Sequence, residues 1–289
     1  MQTNNLSGMT RQIPTVQFPS GDSVPILGQG TWRLGMDADS KSVELKALLY
    51  GLERGMKLID TAEMYGDGQA ELLISEAITE KRDDVFLVSK VLPQNAGRKE
   101  TIAACERSLR RLKTNRLDLY LLHWRGSVPL ADTVEAFTEL LQAGKIRNWG
   151  VSNFDLSDMQ ELMALPEGQK VATNQILYNP LRRGVEWGLL PWCRERGIPI
   201  MAYSPLEEGR IIRHPALQAI ADRLGVKPAQ VAMSWLYQQP QVISIPKAGN
   251  LKHIDENLEA LSIHLDGDAL QTLNQAFPPP NGPTPLEMI

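Results

Sequence analysis

Apolar runs recur along this chain with long gaps between them. Residues 26–30, 57–60, 85–90, 117–123, 146–151, 171–175, 199–203 and 242–246 each have the length of a strand. The run at 117–123 is nearly continuous in apolar residues, as expected of a strand covered on both faces. Between the runs, apolar positions fall at helical spacing. Val43, Leu45, Leu48 and Leu49 precede the second run, Leu73, Ala77 and Ile78 the third, and Val134, Phe137 and Leu141 the fifth, with Gly144 as a stop. Further helices are expected over 156–165 and 187–196, and two more within the connection 204–240. Ahead of the series, residues 12–25 alternate weakly around Gly21-Asp22, a turn signal, which predicts a hairpin.

Eight strands alternating with at least eight helices argue for parallel strands joined by right-handed crossovers. Seven polar residues stand at the ends of successive runs: Asp60, Lys90, His123, Asn153, Gln175, Tyr203 and Lys247. Their separations of 30, 33, 30, 22, 28 and 44 residues each accommodate a loop, a helix and the next strand. In a (β/α)8 TIM barrel such positions converge on one face, where that fold keeps its active site. An open nucleotide-binding sheet would show GxGxxG after its first strand. Here Gly28-Gln29-Gly30-Thr31-Trp32-Arg33 lacks the third glycine, and no GxxxxGK[ST] is present. The expected fold is therefore α/β: one barrel domain over 12–289, a hairpin plugging its bottom, a Pro-rich tail over its mouth, and a loosely ordered stretch at 1–11.

Composition narrows the functional classes. With 289 residues, 43% of them hydrophobic, the chain can build a large core, and a net charge of −4 provides no field for nucleic acid. The basic stretch 98–113 carries Ile102, Cys105, Leu109 and Leu112 at helical spacing and reads as the solvated face of a packed helix. Cys105 and Cys193 are isolated thiols, which suggests a reducing compartment. No run is long enough to span a membrane, and 1–11 lacks the order of a signal peptide. The expectation is a cytoplasmic, monomeric protein with neither nucleic acid nor membrane as partner.

The chemistry lies in Asp60, Tyr65, Lys90 and His123. A phenol is a poor proton donor at its ordinary pKa; a nearby ammonium favours the phenolate and lowers that pKa, and a carboxylate holds the ammonium charged and in place. A histidine can hydrogen-bond a carbonyl oxygen and fix its angle. Taken singly, each has a structural explanation: a helix cap, a packed aromatic, a rim lysine, a satisfied histidine. On three adjacent strands in this order they suit protonation of an oxygen as a carbonyl is reduced. A Schiff-base role for Lys90 would require a neutral amine, which Asp60 opposes. The four histidines are scattered, with no HxH or HExxH, so no metal site is expected.

Over nearly its full length the chain resembles the aldo-keto reductases, through Asp60-Thr61-Ala62-Glu63-Met64-Tyr65-Gly66, Val88-Ser89-Lys90, Leu117-Asp118-Leu119-Tyr120-Leu121-Leu122-His123, Gly150-Val151-Ser152-Asn153-Phe154, Asn174-Gln175, Ala202-Tyr203-Ser204-Pro205-Leu206 and Ile245-Pro246-Lys247. The resemblance implies NADPH-dependent reduction of aldehydes and ketones, with Tyr65 as proton donor, Lys90 and Asp60 tuning it, and His123 orienting the carbonyl. It also implies that Ser152, Asn153 and Gln175 hold the nicotinamide carboxamide, that Tyr203 stacks on the ring, and that Gly30, Thr31 and Asp60 border the ribose. Leu206, Gly209 and Arg210 would lie along the pyrophosphate, Lys247 at the 2′-phosphate, and Asn250, His253, Glu256 and Asn257 at the adenine end, with Ser204 also binding the cofactor. Family members often carry Ser or Thr after the lysine and Arg six residues beyond it. Ala248 and His253 stand there, and an imidazole grips phosphate less firmly than a guanidinium, so NADPH preference is expected to be less strict. Small 2-oxoaldehydes such as methylglyoxal are the expected substrates, walled by Trp32, Met64 and Trp124. The alternative is a nucleotide-binding regulatory or interaction subunit with little turnover.

Overall fold

The computed structural model describes residues 12–289; the expectation of a loosely ordered 1–11 lies outside the described residues. Strands β1 (Thr15–Gln17) and β2 (Ser23–Pro25) pair antiparallel about the predicted turn. Eight parallel strands follow: β3 (Gly28–Gly30), β4 (Leu58–Asp60), β5 (Phe86–Val91), β6 (Leu117–Leu122), β7 (Ile146–Ser152), β8 (Asn174–Leu177), β9 (Ile200–Tyr203) and β10 (Val242–Ser244). They lie side by side in chain order, and bridges Leu27 to Ser244 and Gly30 to Lys247 close the ring. The barrel is the predicted one.

Between the strands run α1 (Lys41–Glu53), α2 (Gln69–Ile78), α3 (Arg98–Leu112), α4 (Leu130–Gln142), α5 (Leu156–Ala164) and α6 (Leu189–Glu195), with α7 (Pro215–Leu224) and α8 (Pro228–Tyr237) before β10, and α9 (Leu251–Glu259) and α10 (Gly267–Ala276) after it. Helix α3 buries Cys105, Leu109 and Leu112, as its spacing predicts, and leaves Arg98, Lys99 and Arg110 outward, while half-buried Arg111 pairs with the buried Glu71. Two boundaries differ from the sequence reading. The regular strand β8 runs Asn174–Leu177: a short 3₁₀ turn (Gly168–Lys170) precedes it, and 172–173 already bond to β7, the Ala172 N–H donating to the Trp149 carbonyl at 2.8 Å and the Thr173 carbonyl accepting from Val151 at 3.1 Å. Ile176 and Leu177 pair on with Ala202 and Tyr203 of β9, so Gln175 lies within its strand and not at its end. The 187–196 helix is likewise shortened to α6 by a preceding 3₁₀ turn, Gly184–Glu186.

The strand period of two separates two cores. Ile59, Leu87, Tyr120, Leu122, Trp149 and Val151 point outward to the helices. Leu58, Val88, Leu119, Leu121, Met201 and Ile243 point into the barrel, and Phe18 of the hairpin turn joins them from below. The hairpin is thus a plug, held also by Asn148 Nδ2 donating to Asp22 at 2.7 Å. Inward parity continues up each strand from Leu58 to Asp60, from Val88 to Lys90 and from Leu121 to His123. Closure at the first strand needs glycine: a Cβ on Gly28 would stand 2.6 Å from the Leu58 side chain, and one on Gly30 2.6 Å from the Ile245 carbonyl.

Candidate active site

Asp60 ends β4, Lys90 lies near the end of β5, and His123 follows β6, so three neighbouring strands lift three polar groups above the apolar interior. Tyr65 follows Asp60 through a short turn closed by the Tyr65 N–H donating to the Ala62 carbonyl at 3.1 Å, and Gly66 and Gly68, just beyond it, take φ values of 59° and 86°. That left-handed backbone turns the chain from Tyr65 into α2, which Gly68 caps.

Lys90 Nζ is the hub. It is fully buried and donates to Asp60 Oδ2 at 2.8 Å, to the Thr61 carbonyl at 2.8 Å and to the Tyr65 oxygen at 3.1 Å. All three ammonium hydrogens are thus engaged. Burial alone would lower the Lys90 pKa; Asp60 and then Tyr65 outweigh it, and the net shift is upward. Lys90 remains an ammonium, which leaves no neutral amine for a Schiff base. Tyr65 departs from expectation. Lys90 does pull its pKa down, but desolvation of the wholly buried phenol is larger and the net shift is upward. The ammonium acts by limiting the cost of a phenolate, without making the resting phenol acidic.

His123 is 8% exposed, and its ring stands 5.8 Å from that of Tyr65. Burial, aided by the Lys90 charge, pushes its pKa down to about 2. The imidazole is therefore neutral and offers a hydrogen bond, not a positive charge. Its Nδ1 is buried without a partner, so the useful tautomer carries its proton on Nε2. Trp32 meets Tyr65 edge-on at 5.2 Å, and Trp124 lies 4.9 Å from His123. These rings flank the Tyr65 and His123 pair, and Met64 is half-buried one residue before Tyr65.

A second set of groups is wired to the first. Ser152 Oγ donates to the Gln175 carbonyl at 2.9 Å; Asn153 Nδ2 donates to Ser152 Oγ at 3.2 Å and to the His123 carbonyl at 3.1 Å; Tyr203 donates to Asn153 Oδ1 at 2.9 Å. Gln175 Nε2 donates to Asp60 Oδ1 at 2.8 Å. Thr31 donates to the Asp60 carbonyl at 2.9 Å, and Gly30 bridges Lys247. Amide and hydroxyl groups thus gather beside the Tyr65 cluster, a donor and acceptor set that suits a carboxamide.

The outer predicted residues are spread along the rim. Leu206 packs against the outer core, Gly209 has open space around it, and Arg210 is held by Glu207 at 3.2 Å, which offsets its charge. Ser204 adopts a left-handed φ of 49°. Lys247 is exposed. Asn250 caps α9 by accepting from the His253 N–H at 3.0 Å, and its Nδ2 lies 3.2 Å from His253 Nδ1. Glu256 is engaged by Lys227, and Asn257 is buried, its carbonyl accepting from Tyr237. Sequence reasoning missed the Thr61 carbonyl, a backbone group, and the Asn179–Arg182–Glu207 cluster, for which no periodic signal exists. Among the described residues no group of His, Cys, Asp and Glu is arranged to hold a metal ion, and no helix is long and apolar enough to cross a membrane.

A family model described as the aldo/keto reductase family matches residues 26–277. A methylglyoxal reductase of Escherichia coli is 48% identical over 283 residues, covering 96% of this chain and 100% of that protein. A glyoxal reductase of Bacillus subtilis is 32% identical, covering 95% and 97%. Among solved structures, an aldo/keto reductase from Klebsiella pneumoniae in complex with NADP and acetate superposes with a TM-score of 0.93 at 45% identity, covering 96% of this chain and all of that one.

Proposed function

The chain belongs to the aldo/keto reductase family, and from that premise we propose that it reduces aldehydes and ketones to alcohols with NADPH, small 2-oxoaldehydes such as methylglyoxal being its substrates. The observation that carries the reading is Lys90 holding the Tyr65 oxygen at 3.1 Å while Asp60 holds Lys90 at 2.8 Å. When bound, the dihydronicotinamide supplies a hydride to the carbonyl carbon. Tyr65 gives its proton to the carbonyl oxygen as negative charge grows there. Lys90 already donates to the phenol oxygen and stabilises the phenolate left behind until solvent restores its proton. Neutral His123 donates from Nε2 to the same carbonyl oxygen and fixes its angle.

In this reading Ser152, Asn153 and Gln175 hold the carboxamide, Tyr203 faces the ring, Gly30, Thr31 and Asp60 border the ribose, and Ser204, Leu206, Gly209 and Arg210 follow the pyrophosphate. Lys247 meets the 2′-phosphate, with Asn250, His253, Glu256 and Asn257 toward adenine. The connected amides and hydroxyls around Asn153 support the carboxamide end. Trp32, Met64 and Trp124 wall a small carbonyl. One barrel domain over 12–289 carries the reaction, as a cytoplasmic monomer whose two buried cysteines are free thiols.

The test is a panel of methylglyoxal, glyoxal and simple aldehydes assayed with NADPH and NADH in parallel. NADPH absorbance should fall, fastest with the 2-oxoaldehydes. Tight NADPH binding with no consumption on any carbonyl would instead favour a nucleotide-binding subunit.

A further inference from the structure

Arg182, in the connection after β8, divides its guanidinium between carboxylates on two distant segments. Nε and Nη2 donate to Glu207 at 3.1 and 3.3 Å, and Nη1 donates to Glu287. Glu207 is fully buried and also accepts from Asn179 Nδ2 at 3.0 Å. It sits in a loop where Ser204, Glu207 and Glu208 take φ values of 49°, 51° and 52°. Side-chain-bearing residues hold that backbone only when their surroundings enforce it. Arg210, the other cation on Glu207, is itself 64% exposed, so Arg182 is the better-seated counterion of this buried charge. Glu287 belongs to the C-terminal tail. Leu286 beside it packs against the outer core, and the backbone of Ile289 reaches the Tyr203 hydroxyl, where it partly offsets the burial that raises the Tyr203 pKa to about 12.

We propose that Arg182 is a positioning residue that couples the C-terminal tail to the 204–210 loop, so that the cover over the carbonyl side and the cover over the cofactor side settle together. The assignment of the two sides rests on the proposed function; the coupling rests on the shared guanidinium. A tail docked through Glu287 fixes Arg182 in the rotamer that neutralises Glu207, and Glu207 in that position holds the left-handed loop. Losing the tail contact frees the arginine to follow solvent, and the loop loses part of its restraint.

Hydrogen exchange on the unliganded protein tests this without the cofactor. The Gly209 and Arg210 amides, bonded to Leu206 and Glu207 carbonyls at 2.8 and 3.0 Å, report the loop. Glu287→Ala, at an exposed position, should speed their exchange about two- to fivefold, the span expected of a partly exposed ion pair. Added to Arg182→Met, it should change nothing further. Faster exchange in the tail with Gly209 and Arg210 unchanged would overturn the proposal. A second arm measures NADPH dissociation by tryptophan quenching, where Glu287→Ala should weaken binding by a similar factor. If the loop responds but the parent protein binds no NADPH, the coupling stands and the cofactor reading falls.

Discussion

Gln175 Nε2 donates to Asp60 Oδ1 at 2.8 Å while Lys90 donates to Oδ2 of the same carboxylate at 2.8 Å. One buried anion therefore joins the ammonium behind Tyr65 to the amide expected to face the nicotinamide. Replacing Gln175 by Leu removes one donor from a buried acceptor and should cost about 1–3 kcal/mol of stability. Gln175→Glu keeps the shape but sets two carboxylates within hydrogen-bond distance, where both cannot ionise together. Its penalty should exceed that of Leu, and should grow from mildly acidic to mildly alkaline pH as the shared proton becomes harder to keep. Urea unfolding of both variants at the two pH values checks this; equal penalties would mean that Asp60 does not need the Gln175 donor.

Tyr65→Phe keeps the ring that Trp32 packs against at 5.2 Å and deletes only the oxygen that Lys90 holds. Loss of a general acid should lower kcat/KM for carbonyl reduction by about 10²–10⁴-fold. NADPH affinity, read by fluorescence titration, should stay within about twofold, since an edge-on aromatic contact survives. Undiminished turnover would remove Tyr65 from the acid role.

Much of this site was legible because strand parity is rigid. Once Leu58 and Val88 are assigned to the barrel interior, Asp60 and Lys90 follow two residues later; the parallel register sets Asp60 beside Val88, one inward step below Lys90, within reach of the long lysine side chain. The Tyr65 position also followed, since only four residues separate it from Asp60 and leave it few places to go. The sign of its pKa shift did not follow. That depends on how completely neighbours exclude water, and Trp32 and Ala62 belong to no periodic pattern that reports it. The sequence pattern ends a strand at Gln175, while its place within β8 depends on Ile176 and Leu177 pairing on with β9. Arg182 and Glu287 are 105 residues apart on irregular segments, and only the folded chain brings them together.

The hairpin plug should matter to stability and not to chemistry. Phe18 is 3% exposed, joins the interior of the barrel and meets Phe86 edge-on at 5.9 Å. Phe18→Ala should cost about 3–5 kcal/mol, because the ring's contacts are lost and the rigid strands around it cannot collapse into the space. The catalytic groups stand at the opposite end of the barrel, so kcat per folded molecule should be unchanged at low temperature. A large fall in kcat with an unaltered unfolding midpoint would mean that the bottom of the barrel governs the mouth.

Neutral His123 makes two predictions about pH. Its folded pKa is pushed down to about 2 from an ordinary 6.5 by burial and by Lys90. Reduction should therefore show no histidine limb across the weakly acidic to neutral range. Tyr65, whose pKa is raised, keeps its proton throughout that range, and the rate should fall only as the solution turns strongly alkaline. Stability behaves differently. Below the unfolded pKa the unfolded chain binds a proton at this imidazole and the folded protein does not, so acid favours unfolding. The His123 contribution falls by up to about 1.4 kcal/mol per pH unit as pH drops below about 6.5. His123→Asn removes the titrating group, so its unfolding free energy should lose less between neutral and weakly acid pH than that of the parent. Parallel slopes for the two proteins would show that His123 is protonated in the folded state and acts as a cation.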